Sequence, residues 1–122
     1  MTIPLFVFGT LLDPATRSRV LGRPARSGDM RPAHLPGFKR VFAGGRRYPV
    51  LVRCRGARVD GLLLMRLTAR DRLRLHVYEG DEYRLRTIGV AVGTDGEGRR
   101  MRAQAFFGRT LRPTGRSWPA VK

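Results

Sequence analysis

The chain opens on an unbroken apolar run, Ile3 to Phe8, that stops at Gly9. Continuous apolar, β-prone residues over so short a length predict a buried strand, which the rest of the chain has to cover, and the glycine lets the backbone turn sharply at its end. No basic segment precedes the run. It is shorter than a signal-peptide core and far below the ~20 residues of a membrane span. The expectation is therefore a protein made and kept in the cytoplasm.

Beyond Gly9 the chain is punctuated rather than periodic. Asp13 before Pro14 is an N-cap with proline at the first helical position, and Gly22 is a stop, so the spacing predicts a short helix over Asp13 to Leu21. From Met30 to Phe42, two short extended pieces flank the turn sequence Leu35-Pro36-Gly37. The glycine-arginine loop Gly44 to Arg47 precedes another short strand near Tyr48, with Pro49 marking an edge. Ala57 to Leu67 is the longest β-like run, and Gly61 within it signals a bulge or a close approach of backbone. Thr68-Ala69-Arg70-Asp71 resembles a capping box with Asp for the usual Glu, opening a second helix that runs to about Glu79 and ends at Gly80. Glu82 to Val92 and Arg99 to Phe107 read as strands joined by the hairpin loop Thr94 to Gly98.

A chain of 122 residues and 13.7 kDa is one domain's worth, here residues 1–122 with a core over about 3–107 and an irregular tail over 108–122. About six or seven strands with two short helices, and no sustained βαβ alternation, argue for an α+β fold: a small closed or strongly curved mixed β-barrel with two flanking helices.

The formal charge of +16, from 25 basic against 9 acidic residues, points at first to phosphate-rich partners. However, 23 of the 25 are Arg, Asn is absent and Gln occurs once, the signature of a biased codon supply. The arginines are also dispersed over the first helix (Arg17, Arg19), loops (Arg46, Arg47, Arg99, Arg100) and strands (Arg53, Arg55, Arg58, Arg84, Arg86) instead of forming one stripe. Weak, non-specific polyanion binding is expected, and no specific nucleic-acid or membrane partner.

Chemistry-bearing patterns are few. The two histidines, His34 and His76, and the sparse acids have no metal-ligand spacing; Gly9-Thr10 is no phosphate loop; Gly-x-Ser-x-Gly is absent; and Cys54 has no partner cysteine. Glu79 stands out. A carboxylate in the last turn of a helix opposes the helix dipole at a cost of about 0.3–1 kcal/mol, so something besides helix stability selects it. Two readings are open: an exposed charge paired with one of many arginines, or a general base. His76, three residues earlier, shares its helix face.

Five segments in order carry a resemblance: Phe6-Val7-Phe8-Gly9-Thr10-Leu11, Leu35-Pro36-Gly37-Phe38, Tyr48-Pro49, Val59-Asp60-Gly61-Leu62-Leu63 and Tyr78-Glu79-Gly80-Asp81-Glu82-Tyr83. Together they resemble the γ-glutamyl cyclotransferase-like superfamily, above all its small bacterial members and its plant avirulence-induced-protein branch. The resemblance covers about residues 3–107. It implies a small mixed barrel, a pocket beside the first turn, and an acid/base glutamate falling on Glu79. The substrate class implied is a small γ-glutamyl amide, cyclised to 5-oxoproline with release of an amine and without a cofactor. Substrate contacts are implied for the turn Phe8, Gly9, Thr10 and Leu11, for the rim residues Tyr48 and Pro49, and for Tyr83, which with Tyr78 walls the pocket. The sequence departs from the pattern at Phe8, where Tyr is usual, at His76, where Asp is common, and at Leu85, which takes an arginine position. Each departure changes the polar groups a ligand meets. The second reading is a catalytically inactive member of the fold acting as a basic polyanion-binding module. The charge yields a first prediction: in a filter-binding or anisotropy assay, DNA or RNA should bind weakly at low salt, without sequence preference, and release steeply as salt rises. Tight, sequence-selective binding at physiological salt would favour the second reading.

Overall fold

The computed structural model describes residues 3–43, 49–80, 83–93, 99–108 and 113–117. The loop at 44–47, Tyr48, and the hairpin loop at 94–98 lie outside the described residues. The elements in chain order are β1 (Leu5–Val7), a 3-10 turn (Thr10–Leu12), α1 (Pro14–Leu21), a second 3-10 turn (Ser27–Asp29), β2 (Met30–Ala43), β3 (Pro49–Leu64), α2 (Ala69–Glu79), β4 (Tyr83–Val92), β5 (Arg100–Gly108) and β6 (Pro113–Ser117). Both helices start and stop on the signals in their sequence. The Asp13 side chain accepts from the Thr16 N–H and Gly22 ends α1; Thr68 and Asp71 form the reciprocal capping box of α2, with Gly80 after it.

Five strands close on themselves in the order β3-β1-β5-β4-β2, with β2 returning to pair with β3, and β6 adds to the distal part of β2. The ladders are antiparallel except where β1 lies parallel to β5, Leu5 opposite Gln104, so the barrel is mixed. The strand count differs from the sequence expectation for an identifiable reason. Leu35-Pro36-Gly37 does not reverse the chain. Register shifts between Pro36 opposite Arg58 and Phe38 opposite Arg53, so Gly37 faces the four residues Cys54 to Ala57 of β3, and the strand bends and continues. Gly37 and Gly56 both take positive φ there, near 80°, which glycine tolerates without strain. The expected short pieces on either side merge into two long strands, β2 and β3. Conversely, β6 pairs within the stretch expected to be an irregular tail.

Alternation along the strands sorts the core into two layers. Phe6, Phe8, Ala33, Leu35, Leu51, Val59, Leu63, Val90, Ala103, Ala105 and Phe107, all contributed by strands or their immediate ends, fill the barrel. Leu5, Val7, Leu64, Tyr83 and Phe106 turn the other way and pack with Leu11, Leu21, Leu67 and Leu75 beneath the helices. Gly61 is the close approach its sequence signalled: a Cβ there would run into the Val7 carbonyl and sit 2.8 Å from the Phe6 ring. No helix among the described residues is long and apolar enough to cross a membrane. Gly61→Ala should therefore lower stability by roughly 1–3 kcal/mol through overpacking of the seam between β1 and β3. Urea denaturation reads it, and an unchanged midpoint would show that β1 yields freely.

Candidate active site

Phe8 is buried in the barrel, and directly after it the chain leaves the sheet through Gly9 into the Thr10–Leu12 turn. The turn closes with Leu12 and Asp13 N–H groups donating to the Gly9 and Thr10 carbonyls. The N–H groups of Gly9, Thr10 and Leu11 donate to no described backbone carbonyl, as the first amides of a helical turn ordinarily do not. Two arginines hold the other side of this segment. Arg17 of α1 reaches back, its Nη1 donating to the carbonyl oxygens of Leu11 at 3.0 Å and Leu12 at 3.3 Å. Arg40 of β2, on the barrel face, donates from Nη1 to the Phe8 carbonyl at 2.9 Å. Neither role is visible in the sequence, because each is one arginine among 23.

Helix α2 is fixed over the barrel by its own arginines. Arg72 donates to Gln104 Oε1 at 3.1 Å and to the Ile3 carbonyl, and Arg74 donates to the Leu21 carbonyl at 2.7 Å. Leu75 packs beneath it, and the His76 ring stands edge-on to Phe106 at 5.3 Å. The C-terminal end of α2 is tied to the turn directly: the Tyr78 hydroxyl and Thr10 Oγ1 share a hydrogen bond of 2.5 Å across 68 residues of sequence. Glu79 is the next residue.

Glu79 is half-buried and joined to no described residue by hydrogen bond or ion pair. The other described carboxylates are engaged: Asp13 with Thr16, Asp29 with Arg66, Asp60 with Arg58, and Asp71 with Arg23 and the Thr68 N–H. In so basic a chain, an unpaired half-buried acid is the exception. Desolvation alone pushes its carboxyl from 4.5 up to about 7.

The remaining sequence candidates separate. Tyr83 is buried in the helix-side layer with Leu11 and Phe106. Pro49 opens β3 opposite Phe42. His76 is exposed on α2, with Phe106 as its ring partner. Leu85 belongs to the helix-side layer, while Arg86 takes the barrel side of β4 and lays its guanidinium over the Phe107 ring, 4.4 Å from the centroid. Among the described residues no group of three His, Cys, Asp or Glu side chains converges as a metal site.

A five-stranded mixed barrel of this kind is shared with solved proteins. A solution structure from Arabidopsis thaliana superposes with a TM-score of 0.72 at 29% identity, over 88% of this chain and 69% of that one. A structure titled γ-glutamyl cyclotransferase superposes with a TM-score of 0.67 over 91% of this chain and 69% of that one, at 18% identity, a likeness of fold. The model of the family described as γ-glutamyl cyclotransferase, AIG2-like, matches residues 5–120, and the chain belongs to that family. AIG2-like protein A of Arabidopsis thaliana is 35% identical over 86 residues, 70% of this chain and 50% of that protein. AIG2-like protein B of the same organism is 28% identical over 114 residues, 93% of this chain and 64% of that protein. The chain thus spans about half the length of the first of these relatives.

The raised Glu79 carboxyl makes stability depend on pH. The unfolded chain titrates it near 4.5 and the folded chain near 7, so the folded state holds the proton more tightly. The stabilisation this gives is complete below about pH 4.5, erodes as pH climbs towards 7, and is gone above about 7. Glu79→Gln, which cannot ionise, should match the wild type in melting temperature at pH 4 and exceed it at pH 8. Coincident melting temperatures at both pH values would mean that the carboxylate is solvated in the folded protein.

Proposed function

We propose that this chain cyclises γ-glutamyl amides, with Glu79 as the single acid/base, releasing 5-oxoproline and a free amine. What supports the reading is an unpaired, half-buried carboxylate one residue beyond the Tyr78 to Thr10 tether, on the helix whose C-terminal end that tether ties to a turn with N–H groups unspent among the described residues. Membership of the γ-glutamyl cyclotransferase, AIG2-like family supports the reaction class.

In this mechanism the substrate's α-nitrogen begins as an ammonium and ends as a lactam N–H, while the amide nitrogen leaves as an ammonium. Two protons therefore pass from the first nitrogen to the second. Glu79 takes one, which frees the lone pair to attack the γ-carbonyl; it returns that proton to the leaving nitrogen as the C–N bond breaks, and relays the second in the same way. A carboxyl titrating near 7 suits both halves of the exchange, since neither accepting nor donating is strongly uphill. Gly9, Thr10 and Leu11 supply N–H groups to a carboxylate or to the oxyanion that develops on the γ-carbonyl, and Phe8 closes the barrel beneath them. Tyr83, in the same buried cluster as Leu11, forms an apolar wall, and Tyr48 and Pro49 rim the pocket, as the resemblance of Tyr48-Pro49 to the family's motif implies. Because ring closure is intramolecular, much of the rate comes from holding the glutamyl chain folded.

Glu79→Gln preserves size and removes the proton carrier. It should lose at least ~100-fold in kcat for 5-oxoproline release from an accepted γ-glutamyl amide. The wild-type kcat/KM should rise with pH through about 7, where the carboxyl ionises. His76→Ala should cost well under about tenfold, since a general acid/base group removed costs ~100-fold or more. Full activity in Glu79→Gln would show that the carboxylate is not the base.

A further inference from the structure

Arg17 is 6% exposed, yet no carboxylate among the described residues pairs with it. Its bonds are the two from Nη1 to the Leu11 and Leu12 carbonyls, and its Nε is buried with no partner at all. Asp13, whose carboxyl feels the Arg17 charge, is exposed and spends its Oδ2 on the Thr16 N–H and hydroxyl. The other buried charged side chain among the described residues, Asp71, has both Arg23 and an N–H donor. A buried guanidinium without a counter-ion is costly, because carbonyl oxygens replace only part of the water it loses.

This charge sits against the first turn. Arg17 approaches the Phe8–Leu12 segment from α1 and Arg40 approaches it from β2, and between them they occupy the carbonyls of Phe8, Leu11 and Leu12. Burial also pushes the Arg40 guanidinium below its ordinary value, so this cation too is partly stripped of water. The same segment keeps the Gly9, Thr10 and Leu11 N–H groups unspent among the described residues. One short stretch of main chain thus has three of its carbonyls, those of Phe8, Leu11 and Leu12, bound by two cations and three of its N–H groups open among the described residues, and suits a group that is negative at all times.

We propose that Arg17, together with Arg40, is a positioning residue for the carboxylate of the glutamyl half of the substrate: the guanidiniums fix the main chain of the first turn, and the carboxylate supplies the counter-charge that the buried Arg17 otherwise lacks. The identity of that carboxylate rests on the cyclotransferase reading above. The glutamyl carboxylate is ionised in ground state and transition state alike, so its counter-charge lowers KM more than it raises kcat. Proton transfer is left to Glu79, whose carboxyl responds to desolvation and to neither guanidinium.

The test uses two matched lactams, 5-oxoproline and 2-pyrrolidinone, which differ in the carboxylate, with binding to the full chain measured by calorimetry. The wild type should favour 5-oxoproline by at least about tenfold, the scale of a charge-assisted contact, and Arg17→Met should bring that preference within about threefold. Arg17→Lys, which keeps the charge, should recover most of it. In turnover, Arg17→Met should lose on KM rather than on kcat for a γ-glutamyl amide, with the pH limb near 7 unmoved, and should lose far less on the 4-aminobutyryl amide of the same amine. A folded Arg17→Met that keeps the tenfold preference, or one that weakens both lactams equally, overturns the proposal. If that variant does not fold, Arg40→Met carries the same comparison, since removing either cation should reduce the preference. The two readings fail separately. Arg17-dependent selection of 5-oxoproline without turnover of any amide upholds the carboxylate site and ends the cyclotransferase reading, whereas turnover without carboxylate selection ends the proposal and leaves the reaction standing.

Discussion

Burial of β1 on both faces is the constraint around which the other elements are arranged. Leu5 and Val7 point to the helices and Phe6 and Phe8 into the barrel, so the strand needs a layer on each side and a neighbour along each edge. Both edges are taken, by β3 antiparallel and by β5 parallel, and this pairing closes the ring. Gly61 permits the closure, because a side chain there would collide with the Val7 carbonyl. The first turn inherits its position from that seam. It leaves the sheet where β1 ends, and α2 must lie over the outer face of the same strand to cover Leu5 and Val7, which carries the C-terminal end of that helix to the turn.

Arginine in this chain does structural work that lysine would do poorly. A forked guanidinium can satisfy several carbonyls at once, and Arg17, Arg40, Arg72 and Arg74 each donate to main-chain oxygens at the ends of elements. Such bonds tie α1 to the turn, β2 to the end of β1, and α2 to both β1 and α1. The strong positive charge is therefore in part the by-product of using one side chain as the connector between elements, and this fits its dispersal over the chain better than a single polyanion surface does. Against that background the isolation of Glu79 gains its meaning, since carboxylates elsewhere among the described residues find a partner readily.

The electrostatics of the site divide by distance. Two cations sit within hydrogen-bonding reach of the turn, whereas Glu79, although its neighbour Tyr78 touches the turn, is governed by desolvation. A carboxylate drawn closer to either guanidinium would be pinned in its ionised form and would be a poor proton donor.

Local signals in the chain were sufficient wherever the physics is local. Asp13-Pro14 with Gly22, the Thr68/Asp71 box with Gly80, the apolar run of β1 and the close approach at Gly61 all follow from steric and hydrogen-bonding rules spanning a few residues, and the five spaced motifs carry the resemblance to the family. Long-range pairing was needed for the rest. Leu35-Pro36-Gly37 reads as a reversal until β3 supplies a partner on both sides of it and turns it into a bend, and β6 has no apolar period because β2 gives it its ladder. The bond from Tyr78 to Thr10 and the grips of Arg17 and Arg40 on the first turn leave no trace in composition or spacing. They depend on which of many equivalent arginines and tyrosines the closed barrel brings within about 3 Å of an oxygen, and hydrogen bonds are too short-ranged for a one-dimensional pattern to specify that.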